Sequence, residues 1–189
     1  MTTLSAHDVA RDLRRRLPGV GTAKLQKLLY YCQGWHLAWF GTPLFTERIE
    51  AWDKGPVVAD HWHDEDKGRP RPPARTIDEA GLSTIGYVVS RYGALSGADL
   101  IRLTHTEAPW RDASNDPYGG MNPEISHDQL IRFFREDNEL ADLDLVRAHA
   151  FADTAVAGVL LDGQRRSSAE ARIADDPSVV RHMLEEHRA

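Results

Sequence analysis

The sequence predicts a mainly α fold: a compact helical domain around a central buried helix, a small β element at about residues 44–53, and a helical C-terminal extension. Three observations carry the prediction. The first is Lys24 to Phe40, KLQKLLYYCQGWHLAWF, which is apolar round nearly its whole circumference. The second is a recurrent helix-start signal, a Ser or Thr followed three residues later by an acid or amide, ahead of helical apolar spacing. The third is that one stretch only, around Phe45 to Glu50, alternates with the period of a strand.

In the first stretch, Leu25, Leu28, Leu29, Cys32, His36 and Trp39 share one stripe at spacings of three and four. Tyr30, Tyr31, Gly34, Leu37 and Ala38 cover most of the rest, leaving Lys24, Gln26, Lys27 and Gln33 as the polar positions. A helix of this kind belongs inside a domain or a membrane. Interrupted by Gly, His and Gln and led by two lysines, it is a poor membrane span, so it is read as the core helix. Leu25, Leu28, Leu29, Tyr30, Gly34 and Trp35 are its core motif. Gly34 costs about 1 kcal/mol relative to Ala in a helix interior, which implies the close approach of another backbone at that turn.

The remaining elements follow in order. Ser5 to Leu17 is a helix with Ser5 and Asp8 in a capping box, an apolar seam of Val9, Leu13 and Leu17, and Pro18-Gly19 as its stop. Thr22 caps the central helix and Gly41 ends it. Strand character runs to Trp52 and Asp53, Lys54-Gly55-Pro56 is a turn, and Pro56 opens a helix, PVVADHWHDEDK. RPRPPAR, Arg69 to Arg75, is an extended surface connection. Thr76 to Glu79 opens a helix that buries Ile77, Leu82, Ile85 and Val89. Two further boxes, Ser96 to Asp99 and Ser126 to Gln129, start helices that carry Leu100, Ile101, Leu103 and Thr104, then Leu130, Ile131, Phe133 and Phe134. Between them lie a brief turn or one-turn helix at Ala108 to Trp110 and a loop at Pro117 to Gly120. This gives a domain over 1–136 and an acidic helical extension over 137–189, docked on the domain or on a partner.

Composition narrows the function classes. The chain of 189 residues carries a net charge of −6, no general footprint for nucleic acid. The charge is uneven: residues 1–27 hold six Lys/Arg against Asp8 and Asp12, while 136–189 hold six Arg against twelve Asp/Glu. One cysteine allows no internal disulfide and fits a reducing compartment. With no signal peptide or hydrophobic span visible, the chain reads as cytoplasmic.

Candidate chemistry is sparse. His61, His63, Asp64, Glu65 and Asp66 suggest a metal site, but on a helix His61 and His63 point about 200° apart. His61 and Glu65 share a face, which leaves a site half built, so no metal and no cofactor are assigned. His36 is read as a core histidine with a satisfied hydrogen bond, and Cys32 as an unreactive buried thiol. No nucleophile motif or phosphate loop is present, and His105-Thr106-Glu107 falls at a helix end, where such residues commonly cap. The chain is therefore expected not to be an enzyme. The run Arg14-Arg15-Arg16 spreads round its helix and suits that helix's C-terminal dipole.

More informative is Trp52-Asp53-Lys54-Gly55-Pro56, where an aromatic, a charge pair and a Gly-Pro turn make a rigid, partly exposed corner. A preorganised aromatic loses little entropy on binding, so such a corner suits recognition. KLQKLLYYCQGWHLAWFGTPLF, followed by IEAWDKGPVVADHW, resembles the Panacea, or SocA-like, antitoxin domain. The Leu95 to Leu100 stretch, Thr104 to Trp110 and Ile125 to Phe134 fit the same pattern, so the resemblance spans about residues 5–136. It implies a mostly helical domain that binds and neutralises a co-expressed toxin, in a family tied to phage and mobile elements in which one member delivers its toxin to a protease as an adaptor. It carries over no catalytic residue.

The resulting expectation is an antitoxin of a bacterial toxin–antitoxin system, partnered by a cognate protein toxin and, in the adaptor mode, a cellular protease. Its contact surface is expected to include Trp52, Asp53, Lys54, Gly55, Pro56 and His61. The acidic extension is a candidate for ordering on a basic toxin surface. The alternative is a DNA-binding transcriptional regulator acting through the basic N-terminal helix. The sequence sets neither the oligomeric state nor the toxin.

Overall fold

The structure, a computed structural model, describes residues 4–136; the expected extension at 137–189 lies outside them. The described residues form α1 (Ala6–Arg16), α2 (Thr22–Phe40), β1 (Ile49–Trp52), β2 (Gly55–Val58), α3 (Ala59–Asp66), α4 (Glu79–Tyr92), α5 (Gly97–Thr106), α6 (Ala108–Ser114) and α7 (His127–Glu136). The fold class is as expected, mainly α with one small antiparallel sheet. None of these helices is long and apolar enough to cross a membrane.

α2 is the spindle of this unit. Residues 25 to 38 are all buried, and α1, α4, α5, α7 and β2 pack around the helix. The polar residues Gln26, Lys27 and Gln33 point inward too, and between them they tether two segments. Gln33 accepts the backbone N–H groups of Leu44 and Phe45 and donates to the Phe45 carbonyl at 3.0 Å, fixing the chain after the helix. Gln26 accepts Val58 N–H at 2.9 Å, and Lys27 donates to the Pro56 carbonyl at 2.9 Å, so both hold β2. Buried polar groups satisfied in this way fix a unique arrangement, because sliding the helix by one turn would orphan all three. Gly41, at φ 69°, closes α2 in the left-handed conformation expected of it. The cap at the other end is Gly21 rather than Thr22, which is already helical.

Gly34 allows close approach of a side chain, not of the expected backbone. The Phe134 ring of α7 lies where its β-carbon would stand. Tyr30, Tyr31 and Trp35 surround the same ring edge-on. Beside it a polar seam runs through the core: the hydroxyls of Tyr30 and Tyr31 each donate to buried Glu107 at 2.8 Å, and Trp35 Nε1 donates to Tyr92. Burial, and then the adjoining Glu107, hold the Tyr30 and Tyr31 phenols well above their ordinary pKa.

The start signals are largely realised. At Ser96/Asp99 and Ser126/Gln129 the reciprocal bonds are present, and Ser5 N–H donates to Asp8. α4 differs. Its cap is Asp78, whose carboxylate accepts Gly81 N–H at 2.9 Å, so the helix begins two residues after the point Thr76 suggests. Its inward face is then Gly81, Thr84, Ile85, Val88 and Tyr92, with Leu82 and Val89 on the flank.

The β element is also displaced. Strand pairing joins Ile49 to Val58 through Trp52 to Gly55, so Pro56 lies inside β2 opposite Ala51 and opens no helix. The outer edge of β1 is covered by the segment before α7, through Ala51 N–H to the Pro123 carbonyl and Ile125 N–H to the Ile49 carbonyl.

Candidate functional site

The turn of this hairpin is Asp53-Lys54, both exposed, followed by Gly55 at φ 90°. Neither Asp53 nor Lys54 has positive φ, so the reversal falls on Gly55, as in a turn closed by a glycine bulge. A β-carbon on Gly55 would stand 2.8 Å from Lys27 Cε and from Thr104 Oγ1. Glycine is needed there for conformation and for space. Lys27 itself is buried, and burial lowers its pKa to about 8.

Aromatic side chains frame the turn on two sides. Trp52 donates its indole N–H to Glu50 at 2.9 Å and sets its ring 5.2 Å from Trp62, with His63 5.9 Å away. On the other side Trp110 donates to the Trp52 carbonyl at 2.9 Å and stacks on His105 at 3.9 Å. All five rings are half-buried, with part of the surface of each open. Burial, and then the nearby Lys27 charge, lower the His105 pKa, against a backbone hydrogen bond with Asp53. The arrangement can present apolar area with a fixed shape beside one acidic and one basic side chain.

Of the residues expected at the contact surface, Trp52, Asp53 and Lys54 reach it. Gly55 and Pro56 are buried beneath it and shape it. His61 is a correction. It is 0 % exposed, because α3 starts at Ala59, later than expected, and turns this side chain inward onto α2. There Gln26 Nε2 lies 3.0 Å from His61 Nδ1, and burial lowers the pKa to about 4, against the opposing pull of Glu65. Trp62, Trp110 and His105 complete the corner, and the sequence reading did not include them in it. Trp62 sits on the helix opened by the hairpin, whereas the other two return from α5 and α6, for which no local spacing gives a signal.

Two other expected residues sit as read. His36 hydrogen-bonds Thr84 at 3.0 Å within the core, and burial lowers its pKa to about 4. Cys32 is fully buried and its thiol is pushed up by burial.

A second cluster lies on the far side of Gln26. One ligand atom each of His7, His61 and Glu65 falls within 4.8 Å of the other two. A cleft of about 690 Å³ borders them, lined by His7, Thr22, Trp62, Asp64 and Arg71 among others.

The fold and the corner define a mainly helical domain with a preorganised aromatic surface. Residues 25–111, from the start of the spindle into α6, match the family described as Antitoxin SocA-like, Panacea domain. The resemblance read from the sequence motifs is shown over that span. No curated protein and no solved structure matches the chain.

Proposed function

We propose that this chain is a non-enzymatic antitoxin that silences a protein toxin by binding it at the corner around Trp52 and Trp62. The match of residues 25–111 to an antitoxin family supports a protein toxin as the partner. The observation that carries the surface is the set of half-buried rings around an exposed Asp53-Lys54 turn, pinned from beneath by Lys27 and from the side by Trp110. Partly exposed tryptophans held without freedom to rearrange are the side chains that dominate protein interfaces. The charges of Asp53 and Lys54 add register more than affinity.

The test is coexpression with the neighbouring toxin gene. The wild-type chain restores growth and copurifies with the toxin, and W52A/K54A, with an unchanged circular dichroism spectrum and melting temperature, loses both. Undiminished rescue by that variant removes the corner from the interface. A protease that copurifies only when toxin is present would mark the adaptor mode.

The DNA-binding reading draws less support. Arg14 pairs with Glu65, and Arg15 and Arg16 both pair with Asp12, so the basic run is largely compensated within the domain. The surface left to phosphates is correspondingly weak.

A further inference from the structure

The geometry points to a divalent transition-metal site, with zinc as its test ion, formed by His7 of α1 and by His61 and Glu65 of α3. The sequence offers only the second and third of these, one turn apart, and the first reaches them from a different helix.

Two nitrogens make the case. His7 Nδ1 and His61 Nε2 are buried and without a hydrogen-bond partner among the described residues, a state that buried polar atoms rarely occupy. Their rings lie 4.6 Å apart between centroids, and Glu65 Oε1 is 3.8 Å from His61 Nε2. The three ligand atoms, within 4.8 Å of one another, need a contraction of up to about 1.4 Å to reach the spacing of a tetrahedral zinc shell. The adjoining cleft, lined by His7 and Glu65, is the side from which a fourth ligand such as water would enter.

The outer shell is half prepared. His7 Nε2 hydrogen-bonds Asp64 at 3.2 Å, which makes Nε2 the protonated nitrogen and leaves the Nδ1 lone pair facing the cluster. A carboxylate behind a ligating imidazole is the usual support of a zinc histidine. His61 is held differently. Gln26 Oε1 is taken by Val58 N–H, so its amide N–H donates to His61 Nδ1 and the proton sits on Nε2. Metal binding moves that proton to Nδ1 and turns the Gln26 amide, at the expense of the Val58 bond. A second competitor is Arg71, which hydrogen-bonds Glu65 Oε1 at 3.3 Å from an exposed position, while Arg14 holds Oε2. These two competitors make the site one of moderate affinity, and each can be removed. Occupied, it would clip α1 to α3.

The experiment is calorimetric titration of the chelator-stripped full chain with zinc chloride, beside melting curves with and without zinc. Expected are one zinc per chain, a higher melting temperature with zinc, and at least tenfold weaker binding in H61Q and in E65Q. Q26E supplies a carboxylate that accepts from His61 Nδ1–H and still accepts Val58 N–H, and should bind zinc about tenfold tighter. R71A should bind tighter as well. Because His61 is buried, H61Q counts only if its spectrum is native, and E65Q carries the comparison otherwise. No zinc uptake by the wild type, equal affinity in wild type and E65Q, or no gain in Q26E overturns the assignment.

Discussion

The ring of Phe134 occupies the space that a side chain on Gly34 would need: a β-carbon there would stand 2.1 Å from Cε2 of that ring. The ring cannot step aside, since Tyr30, Tyr31 and Trp35 enclose it. G34A should therefore destabilise the protein by about 1–3 kcal/mol through overpacking, even though Ala alone would favour the helix by about 1 kcal/mol. Urea unfolding should show a lower midpoint at unchanged slope. Adding F134L should recover part of the loss, which two independent defects would not do.

That contact also shows where sequence reading ends. The spindle was legible because a helix buried on every side must be apolar on every side, and Gly41 and three of the box signals are local chemistry. What was missed depends on contacts distant in sequence. Gly34 announced a close approach but not whose, because Phe134 lies on the last described helix. Pro56 reads as a helix start from its neighbours alone, yet the Lys27 tether and the pairing with Ala51 place it in a strand. Thr76 and Asp78 both offer caps, and only tertiary context selects Asp78. His61 looked exposed on a helix drawn too early, and His7 had no visible reason to meet it.

Lys27 should make stability depend on alkaline pH. Its ordinary pKa is 10.5 and burial lowers it to about 8 in the folded chain. Between these values the unfolded chain binds more protons than the folded one, so stability rises with pH across that window. Below pH 8 the buried charge exacts its full penalty, on the order of 3 kcal/mol. The difference in unfolding free energy between wild type and K27M should narrow or widen by that order from pH 7.5 to 10, in the direction of a gaining wild type. A pH-independent difference would mean that the amine is not desolvated in solution.

Glu107 is the acceptor on which two tyrosines depend. In E107Q one phenol meets an amide N–H group in place of an oxygen, leaving a buried hydroxyl without its acceptor. The expected loss is about 1–3 kcal/mol. E107Q with either Y30F or Y31F should be less unstable than the summed single losses, because the orphaned hydroxyl is gone. Denaturation midpoints across that cycle measure it.

Trp62 offers the sharpest test of the corner, since it was not singled out from the sequence and yet packs its ring edge to face with Trp52. If the toxin docks on this pair, W62A should weaken binding by at least 2 kcal/mol, about thirtyfold. Its effect on folding should be smaller, because the residue is only half-buried and sits on a short helix. W110F separates surface from scaffold: it keeps the ring stacked on His105 but removes the hydrogen bond to the Trp52 carbonyl. Loosening the turn in this way should speed toxin dissociation while leaving the association rate near wild type, because the charges that steer encounter are untouched. Surface plasmon resonance on the purified pair reads both rates, and equal dissociation rates for W62A, W110F and wild type would place the toxin elsewhere on the domain.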